Sequence, residues 1–422
     1  MKNDFDVVVI GAGMVGAATA GLLVSGNDSL RVGLVEAREP KAPDLDPASF
    51  PGMRVSAISR ASQRVLEVCA VWDVLQDTGI SAYREMRVWD ADAEPFGHGS
   101  IHFDCADLGL SCLGHIVDNG LIQWALWRRL LEHPRVVVHC PARLTELELD
   151  EDRALLRLDD GQRLKASLVV GADGSGSPSR KLAGIGADGK SYQQSAVVSH
   201  IQTEESHRET AWQRFLATGP IGILPLQDGR CSIVWSTTPE NAQALCEVEK
   251  SEFEQQVTAA SGSVLGAVIG SGPRANFPLR LQHAKDYTAT RFVLVGDAAH
   301  TVHPLAGQGV NLGFLDAAAL AEVVLDAIVA GRDPGERPAL RRYERWRKGE
   351  NLLAAGSIDA VGRLFLERNT TVASIRRLGL SLVNGAPLVK NELIRRAMGL
   401  AGDLPRFARA PAADELQSSW SE

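Results

Sequence analysis

The segment Asp6-Val-Val-Val-Ile-Gly-Ala-Gly-Met-Val-Gly16 decides the fold of this chain of 422 residues. Its apolar half is typical of a strand that is buried on both faces. Gly11, Gly13 and Gly16 then fit the pattern G-x-G-x-x-G, in which a tight turn opens a helix. A second strand is predicted at residues 31–36, so the N-terminus is predicted to form a βαβ unit.

Each glycine of this unit has a specific role in binding a dinucleotide. Gly11 allows the tight turn, Gly13 lets a pyrophosphate approach the backbone, and Gly16 lets helix and strand pack closely. The helix N-terminus adds free N–H groups and the positive end of the helix dipole. Glu36 lies 20 residues after Gly16 and can accept hydrogen bonds from both hydroxyls of a ribose. The unit therefore predicts a site for FAD or NAD.

A second motif, at residues 291–313, favours FAD over NAD. A predicted buried strand ends at Asp297, which is well placed to accept a hydrogen bond from a polyol hydroxyl. The chain then enters a helix near Gly309, whose N-terminal amides can stabilise negative charge on a reduced flavin ring. An NAD dehydrogenase needs no such second feature. His300 and His303 are interpreted as hydrogen-bonded loop histidines, with a metal site as the less favoured alternative.

Composition and charge place the chain among ordinary globular enzymes. Hydrophobic residues make up 45% and charged residues 23%, and the formal net charge of −8 argues against a general nucleic-acid surface. The six cysteines contain no C-x-x-C pair, which indicates a reducing compartment. The uncharged stretch 7–27 is preceded by acidic residues and interrupted by glycines, so we predict no signal or membrane span and a cytoplasmic location.

One motif is interpreted as coincidental. Residues Gly184 to Ser191 match the phosphate-loop pattern G-x-x-x-x-G-K-[ST] letter for letter. That loop functions only where a buried strand precedes it and a helix follows it. Here the flanking segments are 179–183 and the strand-like 196–201, so neither requirement is met. A nucleoside triphosphatase is kept as the alternative.

The rest of the chain predicts a separate sheet followed by helices. Residues 195–238 read as an antiparallel sheet, and the chain beyond Pro338 reads as helical and basic. The further predicted elements are a helical segment at 62–76, a strand at 85–90, a helix at 121–131, a hairpin at 144–149 and 154–158 with the turn at 159–161, strands at 168–171 and 292–297, and a helix at 310–330.

Three further segments carry a resemblance to a known family. They are Arg54-Val-Ser-Ala-Ile58, Leu113-Gly-His-Ile-Val-Asp-Asn119 and the stretch from Gly296 to Gly313. Together with the first glycine motif and a third one, Gly171-Ala-Asp-Gly174, they resemble the single-component aromatic hydroxylases of the para-hydroxybenzoate hydroxylase type. Within that group the chain resembles the ubiquinone-biosynthesis hydroxylases over nearly its whole length.

The resemblance extends to individual branches of these hydroxylases. Trp89-Asp90, the stretch 98–104 and Cys231-Ser-Ile-Val-Trp235 are most similar to the branch that hydroxylates C5 of a polyprenylphenol. Thr210-Ala-Trp-Gln-Arg-Phe215 is also similar to the C6 branch, so C6, and more distantly C1, are the alternatives. The sequence departs from the family at two positions here. Asp118 stands where the family usually has Glu, and Gly120 stands where the family has a bulkier residue.

The resemblance implies an α/β fold with a Rossmann-like FAD-binding domain, an inserted and mostly antiparallel substrate sheet, and a helical C-terminus. The expected boundaries are 1–80, 106–184 and 276–355 for the FAD-binding domain, 81–105 and 185–275 for the substrate domain, and 356–422 for the C-terminal helical region.

The resemblance also implies a reaction and its site. NAD(P)H, a transient co-substrate, reduces FAD, O₂ adds at the flavin C4a, and one oxygen atom is transferred to the ring of a polyprenylphenol. A flavin reductase or dehydrogenase without oxygen insertion is the alternative. The residues expected to bind FAD are Gly11, Gly13, Gly16, Glu36, Arg54, Asn119, Asp297, Gly309 and Asn311. Those expected near the flavin and the NAD(P)H path are Asp173 and Gly174, and those expected to line the reaction space are His303, Pro304 and Leu305.

The C-terminal segment is basic although the chain is acidic. Between Arg363 and Arg409 there are nine basic and three acidic residues, a net charge of +6, which leaves −14 for the remaining chain. Apolar residues alternate with these charges, which is typical either of a membrane- or partner-docking surface or of packed helices with a solvated basic face. Because a polyprenylphenol resides in the bilayer, we expect docking at the inner membrane or on a biosynthetic complex.

Overall fold

The computed structural model describes residues 4–44, 52–303, 309–367 and 369–409. The strands in these ranges are β1 (Phe5–Ile10), β2 (Val32–Val35), β3 (Val55–Ile58), β4 (Ser81–Tyr83), β5 (Glu85–Asp90), β6 (Ser100–Asp104), β7 (Gly114–Asp118), β8 (Val136–His139), β9 (Leu144–Leu149), β10 (Ala154–Leu158), β11 (Arg163–Gly171), β12 (Ala187–Thr203), β13 (Thr210–Leu216), β14 (Gly219–Pro225), β15 (Cys231–Thr237), β16 (Val268–Ser271), β17 (Ala275–Ala284), β18 (Thr288–Ala289), β19 (Phe292–Leu294) and β20 (His300–Thr301). The α-helices are α1 (Met14–Gly26), α2 (Arg60–Val68), α3 (Trp72–Gly79), α4 (Asn119–Leu131), α5 (Pro178–Leu182), α6 (Pro239–Glu247), α7 (Lys250–Ser261), α8 (Gly309–Val329), α9 (Arg337–Leu366), α10 (Thr370–Asn384) and α11 (Pro387–Ala397). Short 3₁₀ turns lie at Cys105–Leu108, Gly296–Ala298 and Arg406–Ala408.

The apolar run at the N-terminus lies at the centre of the first sheet, which has eight strands in the described chain. β1 pairs in parallel with β2 on one side and β11 on the other, and β8 and β19 extend this parallel core. The side chains of Val7, Val8 and Val9 are fully buried, as the continuous apolar run predicted. α1 connects β1 to β2, which confirms the predicted βαβ unit.

The predicted hairpin lies beside this parallel core. β9 pairs antiparallel with β10, and β10 pairs antiparallel with β11. The turn Asp159-Asp-Gly161 therefore joins β10 to β11, while a separate connection closes the β9–β10 hairpin.

The prediction of a single helical segment at 62–76 was wrong, because the structure has two helices there, α2 and α3. Ala70, between them, has a φ of +54°, a left-handed conformation that no helix interior adopts. The break lets Val71 and Trp72 enter the core, where both side chains are buried. Neither glycine nor proline marks this position, so helical periodicity gave no signal of the break.

The second sheet has nine strands in the described chain, in the order β20-β17-β12-β15-β14-β13-β5-β6, with β16 on β12. All of these pairings are antiparallel except that of β13 with β5, so the expected mostly antiparallel sheet is confirmed. One face packs against α6 and α7 through residues such as Val197, Ile233 and Phe253. The alternate residues of the same strands face away from those helices.

The second part of the phosphate-loop match lies inside a strand. Gly189, Lys190 and Ser191 belong to β12, and Lys190 pairs with Leu281 of β17. A helix N-terminus, which such a loop needs for its phosphate, does not follow. The pattern therefore lacks the geometry of a nucleotide-binding loop at this place.

Replacement of Lys190 by Ala is expected to leave FAD content and turnover nearly unchanged, because this side chain is exposed on a strand. Flavin absorbance and steady-state rates of the purified variant test this expectation. Loss of all activity in a folded Lys190→Ala protein would return the nucleoside triphosphatase to consideration.

The C-terminal helices pack on the second sheet and alter the predicted basic surface. Arg376 of α10 is buried and forms an ion pair with Asp90 at the end of β5. Phe365 of α9 stacks on Phe215 of β13 with ring centroids 3.7 Å apart. Arg376 is one of the nine basic residues that the sequence suggested for a docking surface or a solvated face, and for this residue that prediction was wrong, because it is buried and anchors the helices.

Two further observations concern the organisation of the chain. No helix within the described ranges is long and apolar enough to cross a bilayer. β17 and β20, from the stretch expected to return to the FAD-binding domain, pair within the second sheet. The six-segment division of the chain stays a prediction.

Candidate active site

A cavity of about 690 Å³ lies between the first sheet and the free face of the second sheet. The loops that follow β1, β11 and β19 form one side, together with the N-termini of α1 and α8. Strands β5, β12, β13, β14, β15 and β17 form the other side. The three glycine motifs of the sequence thus converge on one space, because the carboxyl ends of parallel strands lie at one edge of a sheet.

The three glycines of the first motif have different surroundings. Gly11 has a φ of +99°, and a Cβ there would lie 2.6 Å from the carbonyl oxygen of Ala172. A Cβ at Gly16 would lie 2.0 Å from the carbonyl oxygen of Gly11. At Gly13, in contrast, nothing lies within 4 Å of an added Cβ, and the residue lines the cavity. Gly11 and Gly16 are required by the fold, whereas Gly13 leaves space for a ligand.

This space lies at the uncapped N-terminus of α1. Gly13 is the N-cap residue, so no side chain accepts a hydrogen bond from the first N–H groups of the helix. An anion is the natural partner for such groups, because the dipole of the helix adds to their partial charges. The residues present therefore fit the pyrophosphate of a dinucleotide.

Glu36 lies at the end of β2, next to the glycine turn. Its carboxylate accepts hydrogen bonds from the backbone N–H groups of Ala12 (2.6 Å) and Arg38 (3.1 Å). A carboxylate has further acceptor positions, so a ribose contact stays a prediction. Gln123 of α4, which sequence reasoning missed, lines the cavity and donates to the carbonyl oxygen of Ala12 (2.9 Å).

Arg54 and Asn119 are brought together by the antiparallel pairing of β3 and β7. The N–H of Asn119 donates to the carbonyl oxygen of Arg54 (3.0 Å), and the hydroxyl of Ser56 donates to Asn119 Oδ1 (2.7 Å). The guanidinium of Arg54 lies 5.4 Å from the ring centroid of Phe277. Both predicted residues line the cavity, and the backbone hydrogen bond between them holds them side by side.

The two departures from the family pattern near Asn119 are linked in the structure. Asp118 caps α4, since its carboxylate accepts hydrogen bonds from the N–H groups of Gly120 (2.6 Å) and Leu121 (3.1 Å). A Cβ at Gly120 would lie 3.0 Å from Asp118 Oδ1. The glycine at position 120 therefore leaves room for the capping carboxylate of Asp118.

Asp297 and Gly309 also reach the cavity. Asp297 follows β19 in a 3₁₀ turn, and its exposed surface faces the cavity. Desolvation by the surrounding protein raises the pKa of its carboxyl, an effect that His300 and Arg54 oppose. Gly309 is the first residue of α8 and lines the same space. The acid and the helix N-terminus predicted for FAD thus share one cavity.

Asn311 ties α8 to β3 and to the residue that precedes α2. Its buried amide accepts a hydrogen bond from the N–H of Ser59 (2.9 Å) and donates to the carbonyl oxygen of Ala57 (2.8 Å). These contacts position the helix N-terminus. A direct contact between Asn311 and FAD stays a prediction.

The third glycine turn is connected to the loop that carries Asp297. Asp173 accepts a hydrogen bond from the hydroxyl of Ser177. It accepts two more, each 2.8 Å long, from the N–H and the hydroxyl of Ser179. Gly174 lines the cavity. Arg180, which sequence reasoning missed, donates to the carbonyl oxygen of Ala298 (2.6 Å). The proximity of Asp173 and Gly174 to an NAD(P)H path stays a prediction.

His303 lies apart from these residues. It lines a second cavity of about 130 Å³, where its ring packs 4.9 Å from that of Tyr192 and its Nε2 lies 3.4 Å from Gln194 Oε1. Burial lowers the pKa of His303 to about 4, so the ring is neutral near pH 7. Pro304 and Leu305 lie outside the described residues. Val302, the residue before His303, lines the large cavity.

The free face of the second sheet supplies a ligand wall that includes Arg280 but no described carboxylate or imidazole. Its described cavity-lining side chains include no Asp, Glu, His or Lys. They are mostly small or apolar, for example Ala196, Val198, Leu224, Val234 and Phe277. Such a wall suits a flat apolar ring.

Comparisons with known proteins agree with this geometry. A family model described as FAD binding domain matches residues 4–350. The 3-demethoxyubiquinol 3-hydroxylase of Escherichia coli (strain K12) is 36% identical over 94% of this chain and 98% of that protein. Ubiquinone hydroxylase UbiL of Rhodospirillum rubrum is 38% identical over 96% of this chain and 92% of that protein. Among solved structures, p-nitrophenol 4-monooxygenase PnpA of Pseudomonas putida DLL-E4 has a similar fold, with a TM-score of 0.74, 18% identity, and coverage of 94% of this chain and 99% of that one. The chain therefore belongs to the FAD-binding-domain family, as an FAD-dependent oxidoreductase of the group that includes the ubiquinone hydroxylases.

Proposed function

We propose that this enzyme hydroxylates the aromatic ring of a polyprenylated ubiquinone precursor, with NAD(P)H and O₂ as co-substrates. The observation that carries the proposal is the large cavity, where the dinucleotide turn, Asp297 and the N-terminus of α8 face an apolar wall. Bound FAD supplies the redox and oxygen chemistry. The chain has to hold the cofactor, position the ring and exclude water.

Each side of the cavity has one part of this task. The N-terminus of α1, at Gly13, holds the pyrophosphate, and Asp297 accepts a hydrogen bond from the polyol. The N–H groups at Gly309 stabilise negative charge on the reduced flavin ring. The wall of the second sheet holds the phenol through apolar contact, and none of its described residues offers a carboxylate or imidazole as a base.

Incorporation of oxygen separates this function from that of a reductase. Purified enzyme is incubated with NAD(P)H, ¹⁸O₂ and a short-chain polyprenylphenol, and the product is examined by mass spectrometry. A hydroxylase is expected to place one labelled atom in the ring. Consumption of NAD(P)H without ring label would instead indicate a flavin reductase or dehydrogenase.

The ring position is proposed to be C5. The resemblance of Trp89-Asp90 and Cys231-Ser-Ile-Val-Trp235 to the C5 branch supports this position. The relative from Escherichia coli, in contrast, is named for hydroxylating 3-demethoxyubiquinol. Complementation of strains that are each blocked at one ring hydroxylation decides between the positions. Restored ubiquinone in the C5-blocked strain alone is the expected result, and rescue only of a strain blocked at C6 or C1 would move the assignment.

The C-terminal helices are proposed to deliver the substrate by docking on an anionic membrane. Ile375, Leu378 and Leu382 are all exposed and lie at i, i+3 and i+7, so they form one apolar face of α10. Leu388 and Val389 at the start of α11 are exposed as well. Basic residues on the same helices complement an anionic surface, where each contributes about 1 kcal/mol of attraction.

Charge reversal on these helices is expected to weaken vesicle binding. The variant Arg377→Glu, Arg395→Glu, Arg396→Glu omits the buried Arg376, whose loss would disturb the fold. The affinity for vesicles of phosphatidylethanolamine and phosphatidylglycerol, measured by sedimentation, is expected to fall at least tenfold, since three attractions are reversed. FAD content and turnover of a soluble phenol are expected to stay unchanged.

A matched variant tests whether position or only net charge matters. Arg128→Glu, Arg129→Glu, Arg135→Glu changes the charge by the same amount on exposed residues around the end of α4. It is expected to bind vesicles much as the wild type does. Equal loss in both variants would indicate a non-specific charge effect, and equal binding by all three proteins would leave a biosynthetic protein complex as the partner to be tested.

A further inference from the structure

A fully buried carboxylate lies behind the loop that carries Asp297. Asp316, in the middle of α8, accepts hydrogen bonds from the N–H of Gly296 (3.1 Å), His300 Nε2 (2.5 Å), Arg347 Nε (2.8 Å) and Asn351 Nδ2 (3.0 Å). Burial by itself would raise the pKa of Asp316, but His300 and Arg347 outweigh it and lower the pKa to about 2. The group is therefore an anion with four donors.

Two of these donors belong to the loop itself. Gly296 precedes Asp297 and His300 follows it, so Asp316 holds the loop on both sides of the residue that faces the cavity. The other two donors, Arg347 and Asn351, come from α9 and fix the carboxylate from the opposite direction. The loop is thus attached to a rigid anchor formed by two packed helices.

The loop has little room to settle elsewhere. Gly296 has a φ of +58°, and a Cβ there would lie 3.1 Å from Val15 Cγ1 of α1. A Cβ at Gly313 of α8 would lie 2.5 Å from Val15 Cγ2 and 3.4 Å from Gly296 Cα. The loop, the N-terminal turn of α1 and the first turns of α8 therefore touch at one point, and a shift of the loop would alter both helix N-termini.

We propose that Asp316 is a positioning residue for FAD, which sets the place of the Asp297 carboxylate relative to the cofactor. The proposal rests on the proposed role of Asp297 in binding the FAD polyol. A hydrogen bond to a fixed ligand weakens steeply when the acceptor moves or rotates, so loss of the anchor is expected to reduce FAD affinity through Asp297. Asp316 itself does not line the cavity.

A merely structural role predicts a different result, and the chain offers a matched control. Asp90 is also buried and paired with an arginine, Arg376, in the second sheet and α10. Asp90→Asn and Asp316→Asn each remove one buried negative charge next to an arginine. Both variants are expected to lower the melting temperature of the apoprotein, but only Asp316→Asn is expected to change FAD affinity.

The experiment is a double-mutant cycle read out as the Kd of apoprotein for FAD, measured by quenching of flavin fluorescence. Asp316→Asn is expected to raise Kd about tenfold in the wild-type background, the loss of about one hydrogen bond to a charged group. In an Asp297→Ala background the same change is expected to have less than about a twofold effect. Coupling of this kind is not expected for Asp90→Asn.

An equal effect of Asp316→Asn in both backgrounds would overturn the proposal, because the anchor would then act without Asp297. Failure of the wild-type apoprotein to bind FAD would overturn the proposed function instead. If Asp316→Asn does not fold, His300→Asn removes only one of the four donors and is expected to couple with Asp297→Ala in the same sense.

Discussion

Replacement of Gly13 by Val is expected to leave the protein folded and to prevent FAD binding. Nothing in the structure lies within 4 Å of a Cβ at this position, so the side chain fits the apoprotein. The same side chain fills the space in front of the first N–H groups of α1, where the pyrophosphate is expected. The cost to folding is about 1 kcal/mol for a poor N-cap residue. The loss of FAD affinity is expected to be on the order of 100-fold or more, which corresponds to about 2.8 kcal/mol.

The measurement compares flavin content after purification, Kd for FAD and the melting temperature of the apoprotein. Gly176→Val is the control, because an added Cβ there also meets nothing within 4 Å and the residue does not line the cavity. The control is expected to keep its flavin. Full flavin content in Gly13→Val would show that the pyrophosphate does not lie at the N-terminus of α1.

Replacement of Asp297 by Ala is expected to produce the second largest loss of FAD. The carboxylate faces the cavity at the end of β19, where it is predicted to accept a hydrogen bond from the polyol of FAD. Removal of a charged acceptor from a buried donor costs about 1.5–3 kcal/mol, or about 10- to 150-fold in Kd. The protein is expected to purify largely colourless.

Flavin absorbance and a titration of apoprotein with FAD measure this effect. Asp297→Asn serves as a graded control, since the amide keeps one acceptor oxygen but loses the charge, and an intermediate Kd is expected. A fully yellow Asp297→Ala protein with wild-type affinity would contradict the placement of the cofactor at this residue.

Local backbone requirements explain why the first half of the site could be predicted from sequence. Gly11 and Gly16 are needed because any Cβ would collide with backbone atoms, and such a need leaves a pattern in the sequence itself. The continuous apolar run of β1 likewise marks a strand with two buried faces. Asp297 was identified for the same reason, because a buried strand was predicted to end at this residue; in the structure β19 ends three residues earlier, at Leu294.

Features that depend on distant partners could not be predicted in this way. The basic pattern of α10 places Arg376 on a solvated face, but the chain pairs it with Asp90, 286 residues away. The spacing of His300 and His303 puts them in one loop, yet the fold directs one to Asp316 and the other to a separate cavity. Asp316 shares the apolar helix α8 with Glu322 and Asp326, so the sequence did not single it out, and only its four donors do.

The sequence by itself determined the βαβ unit of β1, α1 and β2 and a mostly antiparallel sheet, and it predicted a dinucleotide site at the glycine turn and FAD contacts at a second motif. These follow from periodicity and from steric limits within a few residues. Only the tertiary structure decided which charges are buried, which histidine reaches which cavity, and how the loop of Asp297 is held. An apolar or charged pattern indicates that a side chain will be buried or paired. Which residue it contacts depends on the packing of segments that lie far apart in the chain.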